Sequence, residues 1–296
     1  RYLIFRTDRI GDFLLSMILI KNIKRNDQKA FITVVCSPKN YKYIKSFDCI
    51  DQVYKLKTNF KSRFTMIKML RKYRFRFTIV HDGKKRSKFI NFFLKKEKTI
   101  TVNNNDIKTS HFVKIKKIIK FLNFGFDKID LDFLVNRKYN FSKSDKSNII
   151  ILHYDEKWSN ETYIDKYKNI KPSEQQLFNF IKDLSNKSNY ELIITTGIET
   201  PLILKDVVSK IFVNKVTLIE NLDFIELESI ISKSKLLISC HGAISHVASA
   251  HNIKQIDIID LNKLNPYDLW TDHFRNYYPL FRKDFSILSK EIYNLV

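Results

Sequence analysis

The chain has 296 residues, long enough for two ordinary domains each with its own core, and 53 basic against 31 acidic residues give it a formal net charge of +22. An apolar fraction of 44% with 14% aromatics excludes a disordered chain. No apolar run approaches the roughly 20 residues of a membrane-crossing helix, no secretory signal pattern opens the chain, and a start at Arg1 is read as a missing initiator Met.

Tyr2–Phe5 has the length and composition of a buried strand, and the apolar run from Phe13 to Ile20 that of a buried helix. The polar piece between them, Arg6-Thr-Asp-Arg-Ile-Gly-Asp12, is therefore a strand-to-helix turn. In an open parallel sheet such turns lie at the carboxyl ends of the strands, where ligands bind. Gly11 is expected to permit a tight backbone and Asp12 to begin the helix. The positive end of the helix dipole favours an anion there, which makes Asp12 an expected carboxylate at neutral pH. On these residues alone, a plain helix cap is the simpler account of Asp12.

The first half continues with candidate strands at Phe31–Cys36, Gln52–Leu56, Phe75–Val80 and Thr99–Val102. Candidate helices alternate with them at Asp12–Lys24, Asn40–Phe47, Lys61–Tyr73, Ser87–Lys95 and His111–Leu122. Strict alternation implies βαβ crossovers and a parallel sheet. The polar segment Asn136–Asn148 breaks the pattern, so domains are placed at 1–138 and 149–296 with a linker at 139–148. Strand Ile149–His153 resumes the alternation and a long polar loop follows it. Then come helix Ser173–Leu184, strand Glu191–Thr195, helix Pro201–Ile211, strand Val216–Ile219, helix Ile225–Ser232, strand Lys235–Ser239, helix Ile244–His251 and strand Gln255–Ile259. From Leu261 the chain reads as aromatic loop up to a helix from about Ser286. The expected fold class is α/β: two doubly wound domains in tandem, facing a cleft.

A second stretch, Leu236-Leu-Ile-Ser-Cys-His-Gly-Ala-Ile-Ser-His-Val-Ala-Ser-Ala250, again runs from buried strand through a small-residue turn into a helix. Gly242 and Ala243 let the backbone approach a ligand, and the helix start is an anion site. His241 and His246 beside it can each donate to a phosphate oxygen; the bland alternative makes them an incidental pair, with His246 a satisfied core residue. Five residues apart and without a third ligand nearby, they are a poor metal site. Cys36, Cys49 and Cys240 are odd in number and scattered, which argues for a reducing compartment and against a disulfide framework. The basic surface suits phosphate in nucleic acid, an anionic membrane face or a phosphorylated glycolipid, although the even richness in Lys, Ile and Asn is equally compatible with a compositional bias. No Gly-rich dinucleotide fingerprint, Walker-type loop or Gly-x-Ser-x-Gly elbow occurs, against nicotinamide, ATPase and hydrolase readings.

Taken together, Tyr2–Ser16, Ile32-Thr-Val-Val, Ile50-Asp-Gln-Val, Phe77-Thr-Ile-Val-His-Asp-Gly83 with Arg86-Ser87, and Leu222-Asp-Phe-Ile-Glu-Leu-Glu228 leading to Ser239–Ala250 resemble the heptosyltransferases of glycosyltransferase family 9. The opening motif is the most specific part of a likeness that spans nearly the whole chain. The resemblance implies a GT-B architecture of two Rossmann-like domains, the first binding acceptor and the second a nucleotide sugar. It implies metal-independent, inverting transfer of heptose from ADP-heptose to a lipopolysaccharide core, with no cofactor. Asp12 is then the general base, with Arg9 and Gly11 of the same motif beside the substrate. Lys157 matches a lysine facing the donor phosphate, Glu199 an acid on the donor ribose, and Leu222 the backbone that meets adenine. Lys84, Lys85 and Arg86 are candidates to meet acceptor phosphates, though a solvated charge run is the preferred account of them.

The sequence departs from the family where His241, Gly242 and Ala243 replace an Asp, Ser or Thr, Gly order, while His246 keeps its place. An acid is exchanged for a histidine, which makes the phosphate pocket more cationic and bears on which donor is accepted. The expected partners are a nucleotide sugar, a glycolipid or phosphorylated oligosaccharide acceptor and the anionic face of a membrane, in the cytoplasm, with nucleic acid disfavoured for lack of any binding motif. The rival readings are a GT-B transferase for another surface glycan and a non-catalytic polyanion binder.

Overall fold

Tyr2–Arg6 is buried at every position and forms β1, the centre of the first sheet in a computed structural model of the chain. The structure describes residues 1–103, 106, 108–135, 137, 148–159, 168–187, 190–211, 215–260 and 264–296. The chain divides into two units, Arg1–Arg137 and Lys138–Val296. Apart from Asn148, the expected linker 139–148 lies outside the described residues, as does most of the polar loop after Ser159.

In the first unit β1 lies beside β2 (Ile32–Cys36), with β3 (Gln52–Lys55) beyond it. On the other side come β4 (Arg74–Val80) and β5 (Lys95–Thr101), all parallel in the order β3-β2-β1-β4-β5. A central parallel strand is covered on both faces, which is why β1 and β2 read as unbroken apolar runs. The crossovers carry α1 (Ile10–Asn26), α2 (Tyr41–Lys45), α3 (Phe60–Leu70) and α4 (Lys85–Phe92), and α5 (His111–Phe121) follows the last strand. Asn59 and Ser110 cap α3 and α5, accepting from the N–H groups of Ser62 at 2.9 Å and Val113 at 3.1 Å. The strand order reverses at β1, so the turns after β1 and β4 diverge and leave a crevice at the carboxyl edge.

The second unit repeats the plan with one strand more. β6 (Ile149–His153), β7 (Glu191–Thr195), β8 (Val216–Ile219), β9 (Leu236–Cys240), β10 (Lys254–Ile259) and β11 (Tyr277–Phe281) run parallel in the order β11-β10-β9-β6-β7-β8. Here the order reverses at β6, between β6 and β9. Around the sheet lie α6 (Glu156–Ser159), α7 (Glu174–Asn186), α8 (Leu202–Ser209), α9 (Phe224–Ser232), α10 (Ala243–Ala250), α11 (Leu264–Thr271) and α12 (Phe285–Leu295). The final helix packs into the core of its own unit, with the Phe285 ring 5.5 Å from Phe180 and 6.5 Å from Trp158.

Three expectations need correction. The stretch after Leu261 is not loop throughout, for it holds α11 and the edge strand β11. Gly11 does not make a tight turn: α1 already begins at Ile10, and the glycine in the left-handed region is Gly83, at φ 59° after β4. The strand expected at Thr99–Val102 starts instead at Lys95, taking the end of the helix expected over Ser87–Lys95. Among the described residues no helix is long and apolar enough to cross a membrane.

Candidate active site

In the first unit the crevice is closed from below by a buried polar network joining the turns after β1 and β4. Asp82, 1% exposed, accepts from the Thr7 hydroxyl at 2.6 Å, the Thr7 N–H at 3.3 Å and the Ser87 hydroxyl at 2.7 Å. Arg86 at the start of α4 donates to the Thr7 carbonyl at 3.0 Å and its hydroxyl at 2.7 Å. Arg6, itself buried, donates to the carbonyls of Asp12 at 2.7 Å and His81 at 3.0 Å. On this floor sits Asp12, in the first turn of α1. One carboxylate oxygen accepts the Arg9 N–H at 3.2 Å, and the other lies 3.8 Å from the Arg6 guanidinium.

The cap expected at Asp12 is thus present, but it does not govern the charge. Loss of solvation raises the pKa of Asp12; the nearby Asp8 adds to the rise, while Arg6, the Arg9 N–H and Lys84 only partly oppose it. The expectation that the helix terminus would favour the anion is overturned by burial. A carboxylate held above its ordinary range is a stronger proton acceptor than a solvated one. Beneath it the His81 imidazole, bonded to the Ser16 hydroxyl at 2.9 Å, is kept neutral by burial with Arg6, His111 and Lys114 nearby.

In the second unit the turns after β6 and β9 flank the other switch point. Lys157 follows β6, and its ammonium pairs with the buried Asp155 at 2.9 Å. Burial pulls the Lys157 pKa down, but Asp155 outweighs it and the net shift is upward, so the lysine stays a cation. A Cβ placed on Gly242 would lie 2.8 Å from that ammonium. Gly242 is extended, at φ −173°, so the backbone does not itself call for glycine, and a side chain here would have to displace the Lys157 ammonium. Ala243 follows as the first residue of α10, whose unpaired N–H groups point the same way as in any helix start.

His241 is fixed from behind. Its Nδ1 lies 2.6 Å from the carboxylate of Asp257 on β10, which also accepts from the Ser245 hydroxyl at 2.9 Å and the Tyr277 hydroxyl at 3.2 Å. Facing a carboxylate, Nδ1 carries the proton and Nε2 is the nitrogen left for a ligand. His246 is 4% exposed and packs among rings, 5.8 Å from His273, 4.9 Å from Phe274 and 6.2 Å from His241.

This architecture has solved counterparts. The heptosyltransferase WaaC of E. coli with ADP superposes at a TM-score of 0.73, 11% identity, covering 100% of both chains. The glycosyl transferase family 9 protein of Veillonella parvula matches at 0.66 and 11%, over 99% of this chain and 88% of that one. The fold is that of the GT-B heptosyltransferases. A UDP-GlcNAc 2-epimerase from Methanocaldococcus jannaschii shares it at 0.57 and 10%, over 98% of this chain and 91% of its own, so the GT-B fold by itself does not choose the chemistry. No protein-family model matches the sequence, and no curated protein matches it.

Within the second Rossmann-like unit of this GT-B fold, parallel strands put four groups of expected residues along one carboxyl edge: Leu222 after β8, Glu199 after β7, Lys157 after β6, and His241, Gly242 and Ala243 after β9. Contact is shown for only two of these groups, Lys157 and the Gly242 turn. Glu199 is exposed in the loop ahead of α8, and Leu222 is half-buried just before the Asp223 cap of α9. In the first unit Arg9 is the exposed N-cap of α1 and Gly11 its second residue, both adjoining Asp12.

Sequence reasoning missed Asp82, Arg6, Asp155 and Asp257 as members of these sites. A usable signal was present for Asp257: a single acid inside the apolar run Gln-Ile-Asp-Ile-Ile must be paired once buried. The three cysteines are free thiols. Among the described residues, no three His, Cys, Asp or Glu side chains converge as metal ligands would.

Proposed function

We propose that this chain is an inverting family 9 glycosyltransferase that moves a heptose-like sugar from a nucleotide diphosphate donor, ADP-heptose, onto a lipopolysaccharide core-type acceptor. The observation that carries the reading is the half-buried, partly desolvated Asp12 on a rigid floor at the switch point of one sheet, combined with a cationic turn at the switch point of the other. Asp12 takes the proton of the acceptor hydroxyl as that oxygen attacks the anomeric carbon. The bond from that carbon to the donor phosphate breaks, and configuration inverts. The departing diphosphate is met by Lys157 and the start of α10, both of which favour the added negative charge, with His241 beside them. Glu199 and Leu222 are assigned to the donor ribose and adenine, and Arg9 and Gly11 to the acceptor side. In this reading the reaction uses neither cofactor nor metal, and it takes place at the cytoplasmic face of the membrane.

The test is a thermal-shift screen of the full chain against ADP, UDP, GDP and CMP sugars, because a ligand that binds the native state raises its melting temperature. ADP-heptose should give the largest rise. A preference for a UDP sugar would replace the donor and move the reading to another surface glycan. No response to any sugar nucleotide, with polyanion binding indifferent to Asp12→Asn, would remove the enzyme reading altogether.

A further inference from the structure

The first unit carries an aromatic face that the reaction above does not use. Phe60 and Phe64 on α3, and Phe92 and Phe93 at the end of α4, are 58%, 51%, 77% and 40% exposed. They form one patch. The rings of Phe60 and Phe64 are 4.9 Å apart, and Phe89 bridges the two helices at 6.1 Å from Phe60 and 6.3 Å from Phe64. Phe93 lies 5.2 Å from both Phe89 and Phe92. Phe89 is half-buried and roots the patch in the core of the unit. A contiguous cluster of rings left in water is costly, and it marks a surface with a partner.

The surroundings say which partner. From Gln52 to Lys96 the chain has 15 Lys and Arg residues and a single acid, Asp82, which is buried. Helix geometry puts these charges in line with the rings: Lys68 is one turn beyond Phe64, Lys85 one turn before Phe89, and Lys88 one turn before Phe92. All three lysines are exposed. The Arg63 guanidinium lies 5.5 Å from the Phe60 ring centroid. Protein interfaces are depleted in lysine, particularly at their centres. Rings interleaved with charge of one sign suit a bilayer instead, with apolar groups at the acyl boundary and ammonium groups among anionic headgroups.

We infer that the α3–α4 face is a docking surface for an anionic lipid bilayer. Its place in the fold gives it a purpose. α4 starts at the turn after β4, where Arg86 is bonded to Thr7 on the turn that leads to Asp12. The surface and the proposed base therefore belong to one unit, linked through one buried network. This purpose rests on the proposed transfer reaction: the face would hold the unit that carries Asp12 against the bilayer.

The experiment is co-sedimentation of the full chain with vesicles of phosphatidylcholine alone and of phosphatidylcholine mixed with phosphatidylglycerol. Binding is expected only to the anionic vesicles. It should weaken by at least about tenfold in Lys68→Glu/Lys88→Glu, and by a similar factor in Phe60→Ser/Phe64→Ser/Phe92→Ser. These positions are exposed, so melting temperature and the ADP shift should stay at the wild-type level and show that each variant is folded. Equal binding to neutral vesicles, no binding at all, or variants that bind like wild type would overturn the assignment. So would a concentration-dependent dimer that the Phe variants abolish while vesicles are ignored, since the face would then belong to a second copy. Vesicle binding without any sugar-nucleotide shift would leave the surface standing and remove the transfer reaction.

Discussion

Asp12 is expensive where it sits, and the sign of that cost can be tested. Its folded pKa lies above the unfolded value, so its contribution to stability is fully present below the unfolded pKa and lost as pH rises through the folded one. At neutral pH the ionised side chain works against the fold. Asp12→Asn is therefore expected to melt no lower than wild type while transfer falls by about 10²–10⁴-fold and ADP binding is kept. Arg6 still has Asp8 and two carbonyls to donate to in that variant. Full activity would end the base assignment. Because Lys84 favours the Asp12 anion, Lys84→Ala should raise the pKa further and move the acidic limb of the pH–rate profile to higher pH. A limb that stays in place would mean another group sets it.

Two more residue-scale expectations concern the donor side. In Gly242→Ala the new methyl occupies space beside the Lys157 ammonium, 2.8 Å away. Displacing a charge-assisted contact of about 1.5–3 kcal/mol should weaken ADP binding roughly tenfold or more by titration calorimetry. Gly242→Ala with wild-type affinity would detach Lys157 from the phosphate. Asp257→Ala leaves His241, Ser245 and Tyr277 without the fully buried acceptor they share. Urea unfolding should show a loss of about 3 kcal/mol or more, with Asp257→Asn intermediate.

Among the elements, β6 carries a pH sensor of stability. His153 at its end is fully buried against Thr195, and desolvation lowers its pKa to about 4. A depressed folded pKa stabilises the protein above the unfolded value near 6.5 and is lost as pH falls towards 4, a change of about 3 kcal/mol for this one group. Unfolding midpoints should drop over that window in wild type and drop less in His153→Asn. The elements also show what a sequence can reveal. Central strands were legible because both faces are buried and the apolar run is unbroken, as in β1, β6 and β9. Of the edge strands, β3 and β8 were legible but β5 and β11 were not: β5 begins in Lys-Lys-Glu-Lys and β11 contains Pro279, residues that look like strand breakers but are tolerated where one side has no neighbour. For the site, the two strand-to-helix turns could be read because small and polar residues interrupt apolar runs. Their second layers, Asp82 beneath Thr7 and Asp257 behind His241, could not, because contact between strands distant in sequence is set by sheet order, which local pattern does not carry.

For the whole molecule, a net charge of +22 repels itself in the compact state. Melting temperature should climb as salt rises from low ionic strength to the physiological range, where screening shortens to about 8 Å. A fall would mean that specific ion pairs outweigh the general repulsion. The outermost strands have a consequence of their own. Lysines crowd β5, Pro279 interrupts β11, and β3 and β8 have only four residues each. None offers a long bare ladder for a neighbouring molecule to copy, so fibrous templating is blocked at every border of both sheets. Clumping in concentrated solution is left to greasy contacts alone, and a mild detergent should dissolve it.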